Sequence, residues 1–102
     1  MKPDDIRSVL ARLVSTGNNW DGHGAIGPTP SAITTAWEIL TAIGENPDVM
    51  PSVHGGIIIE LEEADLIIDV DPDGSVALAL GLDMGLTPMS VASLLAAIKE
   101  GL

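Results

Sequence analysis

The sequence predicts an α+β fold in which three helices pack on one face of a three-stranded antiparallel meander, in the order ααβββα. Three observations predict this class. Apolar residues recur at helical spacing in three segments, and they alternate with polar or small residues in three consecutive segments between residues 57 and 80. The length of 102 residues fits a single domain spanning 1–102.

The first helix is predicted to begin at Pro3 and to end at Gly17. Proline lacks the N–H that a first helical turn leaves unbonded, and Asp4 and Asp5 suit the positive end of the helix dipole. Glycine tolerates the left-handed backbone that often follows a last turn. The residues predicted to face the core are Ile6, Val9, Leu10, Leu13 and Val14.

The second helix is predicted to begin at Thr29-Pro30, with Thr29 as the N-cap and Pro30 in the first helical position. Gly44, followed by Asn46-Pro47, predicts its end, and residues 46–55 are predicted to form a loop. Its predicted core face comprises Ile33, Ala36, Trp37 and Leu40, with Ile43 at the edge.

Three strands are predicted over residues 57–62, 65–71 and 75–80, where the alternation has a period of two. The segment 71–75, Asp-Pro-Asp-Gly-Ser, predicts a three-residue hairpin loop with a left-handed glycine. This loop pairs residue 70 with 76, 68 with 78 and 66 with 80. The aliphatic side chains then share one face, so turn chemistry and burial predict the same register.

The third helix is predicted from Thr87 as N-cap and Pro88 as first residue. Leu86 and Val91 would then form a hydrophobic staple across its first turn. Its predicted core residues are Val91, Leu94, Leu95 and Ile98, and Gly101 follows its end.

The charge distribution is strongly one-sided. The chain has 4 Lys and Arg against 15 Asp and Glu, a formal charge of −11. Residues 13–98 contain no Lys or Arg but hold 12 of the acids, all except Asp4, Asp5 and Glu100. This balance argues against direct binding to nucleic acid or to an anionic membrane surface. It favours a basic protein partner or an adaptation to a saline habitat.

Several other classes of protein are disfavoured. The absence of cysteine excludes disulfides, thiolate metal sites and a cysteine nucleophile. No apolar run approaches the roughly 18 residues of a membrane span, and the first residues lack a signal-peptide pattern, so a cytoplasmic location is expected. Residues 69–74 resemble the start of a calcium loop, but Leu80 stands where a bidentate Glu is needed. No metal or cofactor is predicted.

The most distinctive segment is the loop of residues 18–25, which contains Trp20, Asp21 and His23. In a functional interpretation, Asp21 orients His23 as a general base, or both contact a metal. In a structural interpretation, Trp20 fills the core and Asp21 accepts hydrogen bonds from backbone N–H groups in the loop. The structural interpretation is favoured, because long glycine-rich loops need such anchoring.

Four segments carry a family resemblance: 19–25, 28–32, 55–61 and 71–74. They contain Trp-Asp-Gly-x-Gly-Ala, a Pro-Thr-Pro helix start, a Gly-Gly-x-x-x-Glu strand and an Asp-Pro-Asp-Gly hairpin. Over roughly residues 18–80 the chain resembles a group of small, uncharacterised bacterial and phage-associated proteins. The resemblance implies a shared fold and no particular reaction.

The outer face of the predicted sheet combines carboxylates with apolar side chains. A solvated polar face is the plain interpretation, but the apolar residues among the acids also suit a protein partner or self-association. Glu62 and Asp65 would also face each other, where like charges destabilise a sheet. The candidate interaction residues are Ile58, Glu60, Glu62, Ile67, Asp69 and Asp71.

The sequence therefore favours a non-enzymatic acidic protein-interaction module, such as an inhibitor, an antitoxin-like protein or a phage accessory factor. Its partner would be a basic protein or a second copy of the chain. Two alternatives stay open. One is a small enzyme or ligand-binding domain using Asp21 and His23, and the other is a structural homo-oligomer with a twofold interface.

Overall fold

The protein folds as a five-stranded antiparallel sheet with helices packed on one face, in a computed structural model that describes residues 2–43, 47–61, 65–80 and 85–100. The strands lie in chain order across the sheet. The elements are α1 (Pro3–Thr16), α2 (Pro30–Ala42), β1 (Asp48–Pro51), β2 (Ile57–Leu61), β3 (Leu66–Val70), β4 (Val76–Leu80), β5 (Thr87–Met89) and α3 (Val91–Lys99).

The α+β class is confirmed, but the predicted order ααβββα and the three-stranded meander are wrong by two edge strands. β1 lies within the segment predicted as a loop and pairs with β2, where Val49 is opposite Ile59 and Met50 is opposite Ile58. Four residues ending in a proline give too short an alternation to indicate a strand. β1 is stabilised by its pairing with β2, which lies outside the short segment itself.

The predicted start of the third helix is also wrong. Thr87 and Pro88 belong to β5, where Pro88 pairs with Ala77 at the sheet edge. Proline is tolerated there because an edge strand needs fewer N–H donors. The helix begins later, with Ser90 as its N-cap accepting a 3.1 Å hydrogen bond from the N–H of Ser93. Val91 is then the first helical residue, so the predicted staple with Leu86 does not form.

The central hairpin has the predicted register. Val70 pairs with Val76, Ile68 with Leu78, and Leu66 with Leu80. In the turn, the N–H of residue 71 donates to the carbonyl of residue 75 at 2.8 Å, and the N–H of Gly74 donates to the carbonyl of residue 71 at 2.9 Å. Gly74 has a φ of +89°, as the turn chemistry predicts.

The core lies between the sheet and the helices. The inner sheet face contributes aliphatic residues of β2, β3 and β4, and small residues let α2 approach this face closely. The fully buried large residues are Leu13, Ile39, Leu40, Ile57, Ile59, Leu66, Ile68, Leu94, Val70 and Val76, with Ala32 and Ala36 buried beside them.

Two predicted core residues are exposed instead. Val14 is 66% exposed and Trp37 is 52% exposed. Each lies at the edge of an apolar stripe that is wider than the surface the helix actually buries. On α2 the buried stripe runs through Ala32, Ala36 and Ile39, which turns Trp37 to the flank of the helix.

The start of α2 is tied to the hairpin turn by threonine side chains. The Thr29 hydroxyl oxygen accepts the N–H of Ala32 at 3.1 Å, and the hydroxyl donates to the carbonyl of Pro72 at 2.5 Å. The Thr35 hydroxyl donates to the carbonyl of Gly74 at 2.8 Å. One side chain at position 29 therefore both caps the helix and holds the turn between β3 and β4 against it.

We expect Thr29→Val to lower the free energy of unfolding by about 1–2 kcal/mol, because it removes the cap and the bond to the turn while keeping the shape. Thr29→Ser keeps the hydroxyl and is the matched control, with a loss of less than about 0.5 kcal/mol expected. Urea denaturation measures both. Equal losses in the two variants would show that the hydroxyl is not responsible.

Candidate functional site

The sheet face opposite the helices is partly exposed, with Ile67 at 41% exposed and Ala77 buried. Because the strand register alternates sides, this outer face carries a mixture of apolar and acidic side chains. One row across the sheet comprises Met50, Ile58, Asp69, Ala77 and Pro88, and the next comprises Asp48, Glu60, Ile67 and Ala79.

This face contains a groove of about 560 Å³. Its floor is formed by β2, β3 and β4 through Ile58, Ile67, Asp69 and Ala79. Residues 51–54 form one wall, and the groove is further bounded by Asp71, Pro72 and Leu86. The volume lies within the range of roughly 300–1,000 Å³ typical of ligand pockets.

The wall of residues 51–54 is held in place by hydrogen bonds on two sides. Within the segment, the N–H of Ser52 donates to the carbonyl of Gly56 at 3.1 Å, and the N–H of Gly56 donates to the Ser52 hydroxyl at 3.0 Å. From outside, the N–H of Ile26 donates to the carbonyl of Val53 at 2.9 Å. The groove is therefore largely pre-formed, which reduces the ordering cost of binding.

Side chains of the loop of residues 18–25 accept hydrogen bonds from its own backbone. Asp21 Oδ1 accepts the backbone N–H groups of His23 at 2.8 Å and Ala25 at 3.1 Å. The hydrogen bond from the His23 amide is the main reason that the pKa of Asp21 lies below its ordinary value, and the Ala25 amide adds to it. The carboxylate thus organises the backbone that leads into Ile26, which bonds to the groove wall.

The geometry expected of a general base is not found at His23. Its side chain is exposed and does not line the groove, and the hydrogen bonds of Asp21 go to backbone amides. Contrary to the structural interpretation, Trp20 does not fill the core. It lies at the surface, 36% exposed, with its indole N–H donating to the carbonyl of Ile26 at 3.4 Å.

The predicted interaction residues fall into three groups. Ile58, Ile67, Asp69 and Asp71 all line the groove. Glu60 lies on the same face, half-buried beside Ile67, but outside the lining. Glu62 lies outside the described residues. The predicted pair of facing like charges, Glu62 and Asp65, therefore lies outside them as well.

Val53, His54 and Leu86 also line the groove, and sequence reasoning does not place them at this face. For His54 it offers only a weak metal pair with His23, and His23 does not line the groove. His54 belongs to the segment predicted as a loop, and Leu86 was assigned to a helix start. The available signal was the Gly55-Gly56 pair after His54, since paired glycines mark a close approach of backbone segments. Gly55 has a φ of +90° and its carbonyl accepts the N–H of Thr29 at 3.0 Å.

The groove is acidic, and none of its described lining residues is Lys or Arg. Burial among the apolar side chains raises the pKa of Asp69, the charge of Asp71 raises it further, and His54 opposes both effects. The ion pair found among the described residues joins Arg7 to Asp4 on α1 at 3.6 Å, and both side chains are exposed.

All four Lys and Arg residues belong to the helix layer. Arg7 and Arg12 lie on α1, Lys2 caps that helix and Lys99 ends α3. The strands of the sheet contain no Lys or Arg. No basic side chain of the sheet therefore balances the negative charges of Asp69 and Asp71.

Asp69 is expected to reduce the stability of the free protein at neutral pH. Because its folded-state pKa is raised above 3.8, the folded chain keeps this proton to higher pH than the unfolded chain. The free energy of unfolding therefore falls as pH rises through the window just above 3.8 and stays lowered at pH 7.

We expect Asp69→Asn to be more stable than the wild type at pH 7, by less than about 1 kcal/mol because water screens the partly exposed carboxylate. The difference should shrink as pH is lowered through the same acidic window. Urea denaturation at several pH values measures it. Glu100→Gln, which removes one charge from the helix layer, is the control, and an equal gain there would assign the effect to net charge alone.

The comparisons add no relative. The chain matches no protein-family profile, no curated protein sequence and no solved structure. The resemblance carried by residues 18–80 therefore stays a prediction.

The described residues contain no group of three or more His, Asp or Glu side chains placed to hold a metal ion. None of the helices in the described ranges is long and apolar enough to cross a membrane.

Proposed function

We propose that the protein is a non-enzymatic interaction module whose open sheet face binds a basic segment of a partner protein. The observation that carries this proposal is the groove, where Asp69 and Asp71 lie among apolar side chains and have no ion-pair partner among the described residues. A cationic partner would supply the missing charge and cover the apolar floor. Complementary charge also accelerates and directs such association.

Several exposed apolar side chains lie on the same face, whereas others, such as Val14 and Trp37, lie on the helices. Met50, Val53, Ile67 and Leu86 are each 40% to 49% exposed, and all four lie in or beside the groove. Contiguous apolar surface of this kind, rimmed by polar groups, is characteristic of protein interaction sites. A partner would gain free energy by burying it.

The edges of the sheet are less suited to a partner than its face. On β1, the outward carbonyl of Val49 already accepts a hydrogen bond from the Arg12 guanidinium at 3.1 Å. Pro51 and Pro88 remove N–H donors from the two edge strands. Such features normally prevent strand addition, which leaves the groove as the favoured contact surface.

A second copy of the chain is a less favourable occupant than a basic partner. Twofold association through this face would bring identical surfaces together, and with them the acids of both grooves. Each chain carries a formal charge of −11, so long-range repulsion also opposes the encounter.

Charge reversal in the groove tests the proposal. Immobilised wild-type protein, Asp69→Lys and Glu100→Lys would be exposed to lysate of the source organism, and the retained proteins identified by mass spectrometry. Glu100→Lys makes the same charge change on the helix layer. We expect proteins retained by the wild type and by Glu100→Lys to be basic, to be released by salt, and to be lost from Asp69→Lys.

Two results would contradict the proposal. In the first, Asp69→Lys retains the same proteins as the wild type and Glu100→Lys. The other is retention of proteins without an excess of basic residues, or retention that does not depend on ionic strength.

A further inference from the structure

The groove changes in polarity along its length. Asp69 lies near the end of β3 and Asp71 lies in the hairpin turn that follows, whereas Ile67 lies two residues before Asp69 in the strand. Ile67 pairs with Ala79, and Leu86, which directly precedes β5, also lines the groove. Among the lining residues, the acids therefore lie at one end and the aliphatic side chains of Ile67, Ala79 and Leu86 at the other, with Glu60 beside Ile67 but outside the lining.

From this gradient we propose that the groove recognises an alkyl-ammonium group, supplied by a lysine side chain on an extended segment of the partner. The proposal rests on the function proposed above and names the chemistry recognised at the same site. The ammonium group would contact Asp69 and Asp71, and the lysine side chain would extend from the direction of Ile67 and Ala79. Ala79 is short, which leaves room above β4 for the segment that carries the lysine.

The spacing of the two acids favours an ammonium over a guanidinium group. Asp69 and Asp71 are two residues apart, about 6–7 Å along an extended chain, so they present separate oxygens rather than one bidentate site. An ammonium has three donors and can bond to two separate carboxylates, whereas the guanidinium fork is shaped for a single carboxylate.

The surroundings of Asp69 strengthen such a contact. The carboxylate lies between Ile58 and Ala77 in neighbouring strands, which limits its access to water. Charge-assisted hydrogen bonds are stronger where water is partly excluded. Burial and Asp71 hold the pKa of Asp69 above its ordinary value, and an incoming cation would lower it. His54, across the groove, is the other titratable group near Asp69.

The groove is larger than one side chain needs. A volume of about 560 Å³ leaves space for the residues that flank the lysine, and the exposed Val53 and Leu86 provide apolar contacts for them. We therefore expect a recognised segment with aliphatic residues on both sides of the lysine. The concave shape suits a protruding segment better than a flat protein surface.

Peptide titration followed by amide chemical shifts tests this inference. The probes are acetyl-Ala-Leu-Lys-Leu-Ala-amide, the same peptide with norleucine or arginine in place of lysine, and hexylamine as a free amine. We expect the lysine peptide to shift the amides of Ile58, Ile67, Asp69 and Ala79. Norleucine, and Asp69→Asn in the protein, should each weaken binding about fivefold to tenfold, whereas Glu100→Gln should not.

Three results would overturn the inference: equal affinity for the norleucine peptide, affinity for the arginine peptide at or above that for lysine, or binding of hexylamine without binding of the lysine peptide. Failure here can be separated from failure of the proposed function. If the peptide fails while Asp69→Lys still loses the basic partner, only the lysine chemistry is wrong. If Asp69→Lys retains the same proteins as the wild type, the proposed function is wrong.

Discussion

Replacing Gly56 with alanine is expected to destabilise the protein by about 3 kcal/mol or more, because the new methyl group overlaps backbone that cannot move away. A Cβ at this position would meet the carbonyl oxygen of Val70 and would lie 3.1 Å from the Ser52 hydroxyl. Val70 is fully buried in the central hairpin. The substitution therefore strains both the sheet and the groove wall.

Gly24→Ala is the matched control for this prediction. Gly24 has a φ of +83° and nothing within 4 Å of a Cβ placed there, so alanine would meet only backbone strain. We expect a loss of about 1–2 kcal/mol from that strain. Urea denaturation of the two variants compares the effects. A Gly56→Ala variant as stable as Gly24→Ala would mean that the backbone around Gly56 has more space than the structure shows.

The second large effect is expected for Ile68→Ala, which should lower the free energy of unfolding by about 3–4 kcal/mol. Ile68 is fully buried on the inner sheet face and pairs with Ile59 and Leu78 on either side. Truncation removes buried methyl groups and leaves a cavity that close-packed neighbours fill only in part. Guanidinium or urea denaturation monitored by far-UV circular dichroism gives the loss.

The neighbouring residue provides the control, because Ile67→Ala is the same chemical change on the opposite face. Ile67 is 41% exposed and lies in the groove, so we expect a loss of less than about 1 kcal/mol. The same variant should bind the aliphatic lysine peptide more weakly. Similar destabilisation by both substitutions would show that the two sheet faces are buried to a similar degree and would remove the basis for an open binding face.

Local signals were sufficient for the central elements. Proline and threonine fix the start of α2, alternation predicts β2, β3 and β4, and the Asp-Pro-Asp-Gly turn determines the register of the central hairpin. Each of these signals operates over a few residues, where backbone sterics and side-chain hydrogen bonds act directly. The hairpin register also places Ile67 and Asp69 together on the outer face.

The candidate site was predicted only in part. Four of its residues follow from the strand alternation, but His54 and Leu86 come from segments whose structure depends on distant pairing. The same limit applies to the loop of residues 18–25. Its composition allowed a catalytic or a bracing role, and only the contacts from Asp21 to two backbone amides favour the brace.

The sequence alone therefore determined the α+β class, the two N-terminal helices, the central hairpin and the one-sided charge. Tertiary structure decided the two edge strands, the exposure of Trp37 and the shape of the groove. The physical reason is that a strand of three or four residues has too little alternation of its own to indicate its structure. Hydrogen bonds to β2 and β4 stabilise these edge strands, and those bonds exist only once the central sheet has formed.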